Sequence, residues 1–169
     1  MADRMTTEAA HKRWWQIFEV VFGIPFLAAI ALQFVMPLTF PGEIPAPARI
    51  LAGAAFVVAG VAVVVAARRD LTRHGQPIDP GRATNALVTT GVFSISRNPL
   101  YLGGVVALAG IALVFNLPWV LALLPLAIVA CHYILIAPEE RYLAATFGAE
   151  YTAYAASVRR WLGRKSDSQ

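Results

Sequence analysis

A chain of 169 residues that is 58% hydrophobic and 14% charged, with a mean hydropathy of +0.61, is too apolar for a water-soluble domain of its size. Its single cysteine, Cys131, excludes an intrachain disulfide framework and a cysteine-built metal site. The net charge of +4 comes from basic residues that flank apolar runs, which points to lipid headgroups and not to nucleic acid.

The apolar runs predict an all-α integral membrane protein with about four transmembrane helices. The first runs from about Trp15 to Met36 and the second from about Ile50 to Ala67, each near the ~20 residues that a bilayer core requires. The first carries Glu19 and Pro25 and continues past its only small-x-small triplet, Ala29 to Ala31, so it is expected to be retained and not cleaved as a signal peptide. Glu19 lies close to Arg13 in sequence and is read as snorkelling or pairing with it. Residues 39–48 form a short proline-rich outer loop. In the second span Gly53 and Gly60 suit close approach of helix backbones.

Between the second and third spans, Arg68 to Arg97 is a connection of about thirty residues, long enough to build a site and not only to link spans. Leu87, Val88, Val92, Phe93 and Ile95 are apolar enough to fold it back as a lid, with Thr89, Thr90 and Gly91 as a turn. It enters the membrane at Asn98-Pro99. Asn is a strong N-cap residue and Pro is favoured at the first helical position, so a helix starts here, with Arg97 before its positive end and Tyr101 at the interface.

The apolar stretch from Pro99 to Ala137 would be about 60 Å of helix, two bilayer cores. Asn116-Leu117-Pro118 breaks it into a tight hairpin. Beyond it come His132 and the adjacent Glu139 and Glu140. At α-helical spacing His132 and Glu139 share a face, and the two carboxylates diverge toward separate partners, such as ligand hydroxyls for one and an arginine for the other. Leu143, Phe147, Tyr151, Tyr154, Val158, Trp161 and Leu162 then predict an amphipathic helix with a basic end, bent or split at Gly148. Residues 166–169 are read as disordered.

The cations give the topology. Arg4, Lys12 and Arg13 precede the first span, Arg68, Arg69, Arg73, Arg82 and Arg97 lie between the second and third, and Arg141, Arg159, Arg160, Arg164 and Lys165 follow the fourth. Arg49 alone falls on the other side. Both termini are therefore expected in the cytoplasm, for a protein of a bacterial inner membrane.

Taken together, Thr89 to Phe93, Ser96-Arg97-Asn98-Pro99-Leu100-Tyr101-Leu102-Gly103, the hairpin, Glu139 to Leu143, and Phe147-Gly148 through Tyr151, Tyr154, Val158 and Arg159 resemble the isoprenylcysteine carboxyl methyltransferase and phospholipid methyltransferase superfamily of membrane enzymes. The resemblance covers about residues 77–162, the cofactor-binding core of a single membrane domain whose N-terminal two-helix part is residues 1–67. It implies S-adenosylmethionine-dependent O- or N-methyl transfer to a lipophilic or amphipathic acceptor, an isoprenylcysteine-like carboxylate or a phospholipid amine, at the cytoplasmic membrane face. Carried over by position, Gly91, Arg97, Asn98, Tyr101, Gly103, Glu139 and Glu140 would surround the cofactor, with His132, Tyr151 and Tyr154 as further contacts and Arg97, Glu139 and Arg159 as the catalytic candidates. A departure lies at Asn98: the carboxyl-methylating branch usually has His there, whereas Asn-Pro-x-Tyr resembles the phospholipid branch. The C-terminal Phe-Gly-x-Glu-Tyr-x-x-Tyr pattern looks more like the carboxyl-methylating one. Two other readings are an NADPH-dependent enzyme related to the membrane sterol reductases and a non-catalytic membrane scaffold.

Overall fold

The structure, a computed structural model, describes residues 18–42, 44–76 and 84–165, all helix, turn and loop without a strand among them. The elements in order are α1 (Phe18–Val35), α2 (Ala46–Arg73), a short 3-10 helix (Gly91–Ser94), α3 (Pro99–Phe115), α4 (Pro118–Cys131), a π-helical turn (His132–Ile136), α5 (Ala137–Phe147) and α6 (Ala149–Ser157). Three continuous helices, Phe18–Val35, Ala46–Arg73 and Pro118–Phe147, are long and apolar enough to cross a membrane, and α3 is a shorter apolar helix of 17 residues. Ile24, Leu27, Phe34, Leu51, Val58 and Leu126 are exposed, as expected where lipid covers them. Trp15 at the start of the first span, Arg13 as a partner for Glu19, Arg82 and residues 166–169 lie outside the described residues.

The second span is longer at both ends than the hydropathy pattern indicates. Pro47 does not break a loop but sits in the first turn of α2, where a missing N–H costs no hydrogen bond. At the other end Arg68, Arg69 and Arg73 continue the helix beyond the apolar run until His74 caps it. Helix α2 packs most extensively on the antiparallel α3, through paired glycines. A Cβ on Gly103 would stand 2.7 Å from the Gly60 carbonyl oxygen, and one on Gly53 would stand 2.8 Å from that of Gly110. Small residues at seven-residue spacing on both helices thus let the backbones touch, which maximises dispersion contact where lipid offers no hydrophobic drive.

The hairpin turns at Asn116, whose φ of 58° is left-handed. The Leu117 N–H bonds Ala112 O at 2.8 Å and the Asn116 N–H bonds Leu113 O at 3.4 Å, the double closure of a Schellman motif. Arg49, the lone cation at this end among the described residues, donates to the carbonyl oxygens of Leu113 and Val114 at the negative end of α3. Helix α1 packs on α4, with Val21, Phe22, Ala127, Cys131, Leu135 and Ile136 buried together.

The amphipathic C-terminal helix is split at Gly148, which has φ 52° and ψ −118°, and it ends at Ser157, not near Leu162. Residues 158–164 form a tight turn instead. The Arg159 N–H donates to Gly163 O at 2.8 Å, Val158 pairs with Arg164 across it, and the turn closes through Gly163 with its φ of 99°. A left-handed glycine here lets the chain reverse where a helix would carry Leu162 onward.

Candidate functional site at the polar end of the bundle

Helix α3 begins where the sequence places it, at Pro99, but Asn98 is not a side-chain cap. Its Nδ2 donates to Arg160 O at 3.1 Å, so the buried amide ties the helix start to the C-terminal turn. Neighbouring bonds reinforce the seam. The Arg97 N–H donates to Arg159 O at 3.1 Å and the Gly163 N–H to Ile95 O at 2.7 Å. Segment 95–98 and segment 159–163 are therefore one structural unit built from chain ends more than sixty positions apart.

This unit delivers Arg97 to Glu140. Arg97 Nη1 lies 3.1 Å from Glu140 Oε1 and donates at 3.1 Å to the Tyr151 hydroxyl. Arg160 grips the same carboxylate in a two-pronged pair, Nε to Oε1 at 2.9 Å and Nη2 to Oε2 at 2.7 Å. One carboxylate between two guanidiniums is a charge-assisted clamp with fixed planar geometry. The bond to Glu140 holds the Arg160 guanidinium above its ordinary value, so its charge is permanent. Arg97 is 10% exposed, and its Nε is buried without a partner among the described residues.

Glu139 points elsewhere, as adjacent helical residues must. Its Oε2 accepts the Tyr101 hydroxyl at 3.1 Å. The Tyr101 ring stacks with Phe18, 6.3 Å between centroids, and Phe18 stacks with Phe22 at 4.4 Å. Gly104 leaves room for this wall, because a Cβ there would run into the Phe18 ring. Tyr154 donates to Phe93 O at 2.7 Å, and burial pushes its phenol up, which keeps it a neutral donor.

Five of the sequence-derived candidates thus stand at one end of the bundle, Arg97, Glu140 and Tyr151 as a three-membered cluster and Tyr101 with Glu139 as a pair. The others are placed differently. His132 does not align with Glu139. The π-helical turn, in which the Ala137 N–H reaches back to His132 O, adds a residue ahead of Pro138, so the position in line with His132 is Glu140. Such a turn suits Pro138, whose ring would press on a carbonyl of a regular α-turn. Arg159 is exposed and contributes its backbone, and its neighbour Arg160 supplies the side chain. Arg159 is the residue that the resemblance carries over by position, and the sequence offers Arg160 only as part of the helix's basic end. At Gly103 the direction a side chain would take is filled by Gly60 and Val64 of α2. At Gly91, with φ 59°, it is filled by the Asp70 carboxylate. Asp70 was not singled out in the sequence, where it is one acid among Arg68, Arg69 and Arg73.

The architecture is that of a helical membrane protein with an ion-paired site where its spans end. The chain belongs to the phospholipid methyltransferase family, whose model matches residues 48–150, from the first turns of α2 to the start of α6. A curated relative, the cobalt-zinc-cadmium resistance protein CzcN of Cupriavidus metallidurans, is 34% identical over 86 residues, 51% of this chain and 39% of that protein. The chain therefore spans well under half the length of the relative it matches. No solved structure matches it.

Proposed function

We propose that the chain transfers a methyl group from S-adenosylmethionine to a lipophilic or amphipathic acceptor at the cytoplasmic face of the membrane. The observation that carries this reading is the buried Arg97 Nε, a donor without a partner among the described residues, held in place by Glu140 and Tyr151 within a member of this family. Such a donor suits the amino-acid carboxylate of the cofactor. The Tyr101–Glu139 pair offers an acceptor oxygen suited to ribose hydroxyls or to the cofactor's positive groups, so the residues present fit it. When bound, the cofactor supplies an activated methyl on a sulfonium leaving group. The protein's tasks are then to hold the acceptor in line and to exclude water.

Membership of a phospholipid-directed family and the Asn at position 98 favour an amine acceptor. A protonated amine must lose its proton before it can attack, and we assign that base role to Glu139, a reading supported by the Tyr101 hydroxyl that orients its carboxylate. A carboxylate acceptor would need no base, only a cation such as Arg97 or Arg159 to hold it.

Calorimetric titration of detergent-purified protein with S-adenosylhomocysteine, beside NADPH, tests the reading. S-adenosylhomocysteine should bind wild type, and about tenfold more weakly to Glu139→Gln, which keeps an acceptor oxygen but removes the charge that strengthens its hydrogen bonds and its attraction to the cofactor's ammonium. Binding of NADPH alone would move the protein to the reductases, and binding of neither would leave a scaffold.

A further inference from the structure

Arg97 is positioned by its neighbours, and those neighbours need a fixed reference. Helix α2 is that reference, because its glycine contacts lock it to α3. One side chain of α2 reaches the lid: Asp70 Oδ2 accepts the Val92 N–H at 3.0 Å. Val92 lies in the first turn of the 3-10 helix, whose leading N–H groups have no partner within the helix, so Asp70 acts as a cap supplied from another element. Its carboxylate is 13% exposed and balanced by Arg73 at 3.6 Å.

The same Val92 then carries the restraint forward. Its carbonyl accepts the N–H groups of both Ile95, at 3.3 Å, and Ser96, at 3.1 Å, and Ser96 Oγ accepts the N–H of Asn98 at 3.1 Å. From Asp70 to Arg97 the path is one short run of backbone held by hydrogen bonds at every step. Gly91 makes the approach possible. It takes the left-handed φ of 59°, and any side chain there would occupy the space of the Asp70 carboxylate.

We propose that Asp70 is a positioning residue for the site: by capping the Gly91–Ser94 helix from α2 it sets the register of segment 95–98 and so the placement of Arg97. This deepens the methyltransferase reading and, for its effect on cofactor affinity, rests on it. Among the described residues Asp70 has no hydrogen bond or ion pair with Arg97 or Glu140, so its effect reaches Arg97 through the Val92 backbone.

The test combines hydrogen exchange, read by mass spectrometry on peptides spanning 84–98, with S-adenosylhomocysteine titration of wild type, Asp70→Ala, Asp70→Asn and Gly91→Ala. In Asp70→Ala the amides of Val92, Ser96 and Arg97 should exchange at least about tenfold faster, and S-adenosylhomocysteine should bind about tenfold more weakly. Amides of α3 beyond Gly103 should be unchanged. Asp70→Asn keeps an acceptor oxygen and should restore most of both effects. Gly91→Ala should reproduce the loss by displacing the carboxylate, and it serves if Asp70→Ala does not fold. Unchanged exchange at Arg97 in Asp70→Ala and Gly91→Ala overturns the proposal, as does faster exchange with unaltered affinity. If wild type binds no S-adenosylhomocysteine, the cofactor reading fails, and exchange at Arg97 alone decides for or against Asp70.

Discussion

The two ends of the bundle use polar side chains in opposite ways. At the hairpin end, Arg49 donates to the carbonyls of Leu113 and Val114, Asn116 Oδ1 accepts the Phe40 N–H at 3.1 Å, and Trp119 Nε1 donates to Met36 O at 2.9 Å. The side chains there complete backbone groups left open at helix ends or in the loop between α1 and α2, which is what a membrane-spanning turn requires. At the other end, Asn98 and Tyr154 also bond backbone, but side chains bind side chains as well: Arg97 and Arg160 to Glu140, Tyr101 to Glu139, Arg97 to Tyr151. Closing helix ends does not require that arrangement. It concentrates charge, and on the proposed reading the difference between the ends separates groups that serve folding from groups that serve a ligand.

The largest expected effect breaks the polar end. Glu140→Gln leaves Arg97 and Arg160 facing each other without the carboxylate between them. Removing one partner of a mostly buried ion pair should cost about 3 kcal/mol, near the low end for such pairs because Arg160 is 38% exposed. Chemical unfolding in detergent would show it, together with loss of S-adenosylhomocysteine binding. An unfolding midpoint within error of wild type would mean that the clamp does not hold the site together.

A smaller effect sharpens the comparison between packing and site. Gly103→Ala forces a Cβ against the Gly60 carbonyl, a backbone atom that cannot yield, and should cost about 2 kcal/mol. Gly104→Ala meets only the Phe18 ring, which can turn aside, and should cost well under about 1 kcal/mol while disturbing the stack on Tyr101. Equal destabilisation by the two would deny the special role of the paired glycines.

The smallest effect is at the hairpin. Asn116→Ala keeps the left-handed φ without a side chain that favours it and removes the bond to Phe40, a loss of about 1 kcal/mol, whereas Asn116→Gly removes the bond but relieves the backbone and should be closer to neutral. Neither should alter cofactor binding at the far end. A change in affinity from either would show that the ends are coupled.

Much of this molecule was legible in its sequence because local rules act on local patterns. The apolar runs define membrane helices, Asn116-Leu117-Pro118 defines the hairpin, and Asn98-Pro99 defines the start of α3, each from residues adjacent in the chain. The divergence of Glu139 and Glu140 to a hydrogen bond and an arginine clamp follows from the 100° step of a helix. Three things did not follow. The chain leaves helix at Ser157, so Arg160 and not Arg159 faces Glu140. The π-helical turn slips the register at His132 by one residue. Asp70, Gly91 and Gly103 draw their meaning from helices packed against them. A sequence determines by itself which segments enter the membrane, since that depends on the summed transfer free energy of contiguous residues. Which side chains meet at the ends of those segments depends on turns, registers and close approaches between parts of the chain that only the tertiary structure brings together.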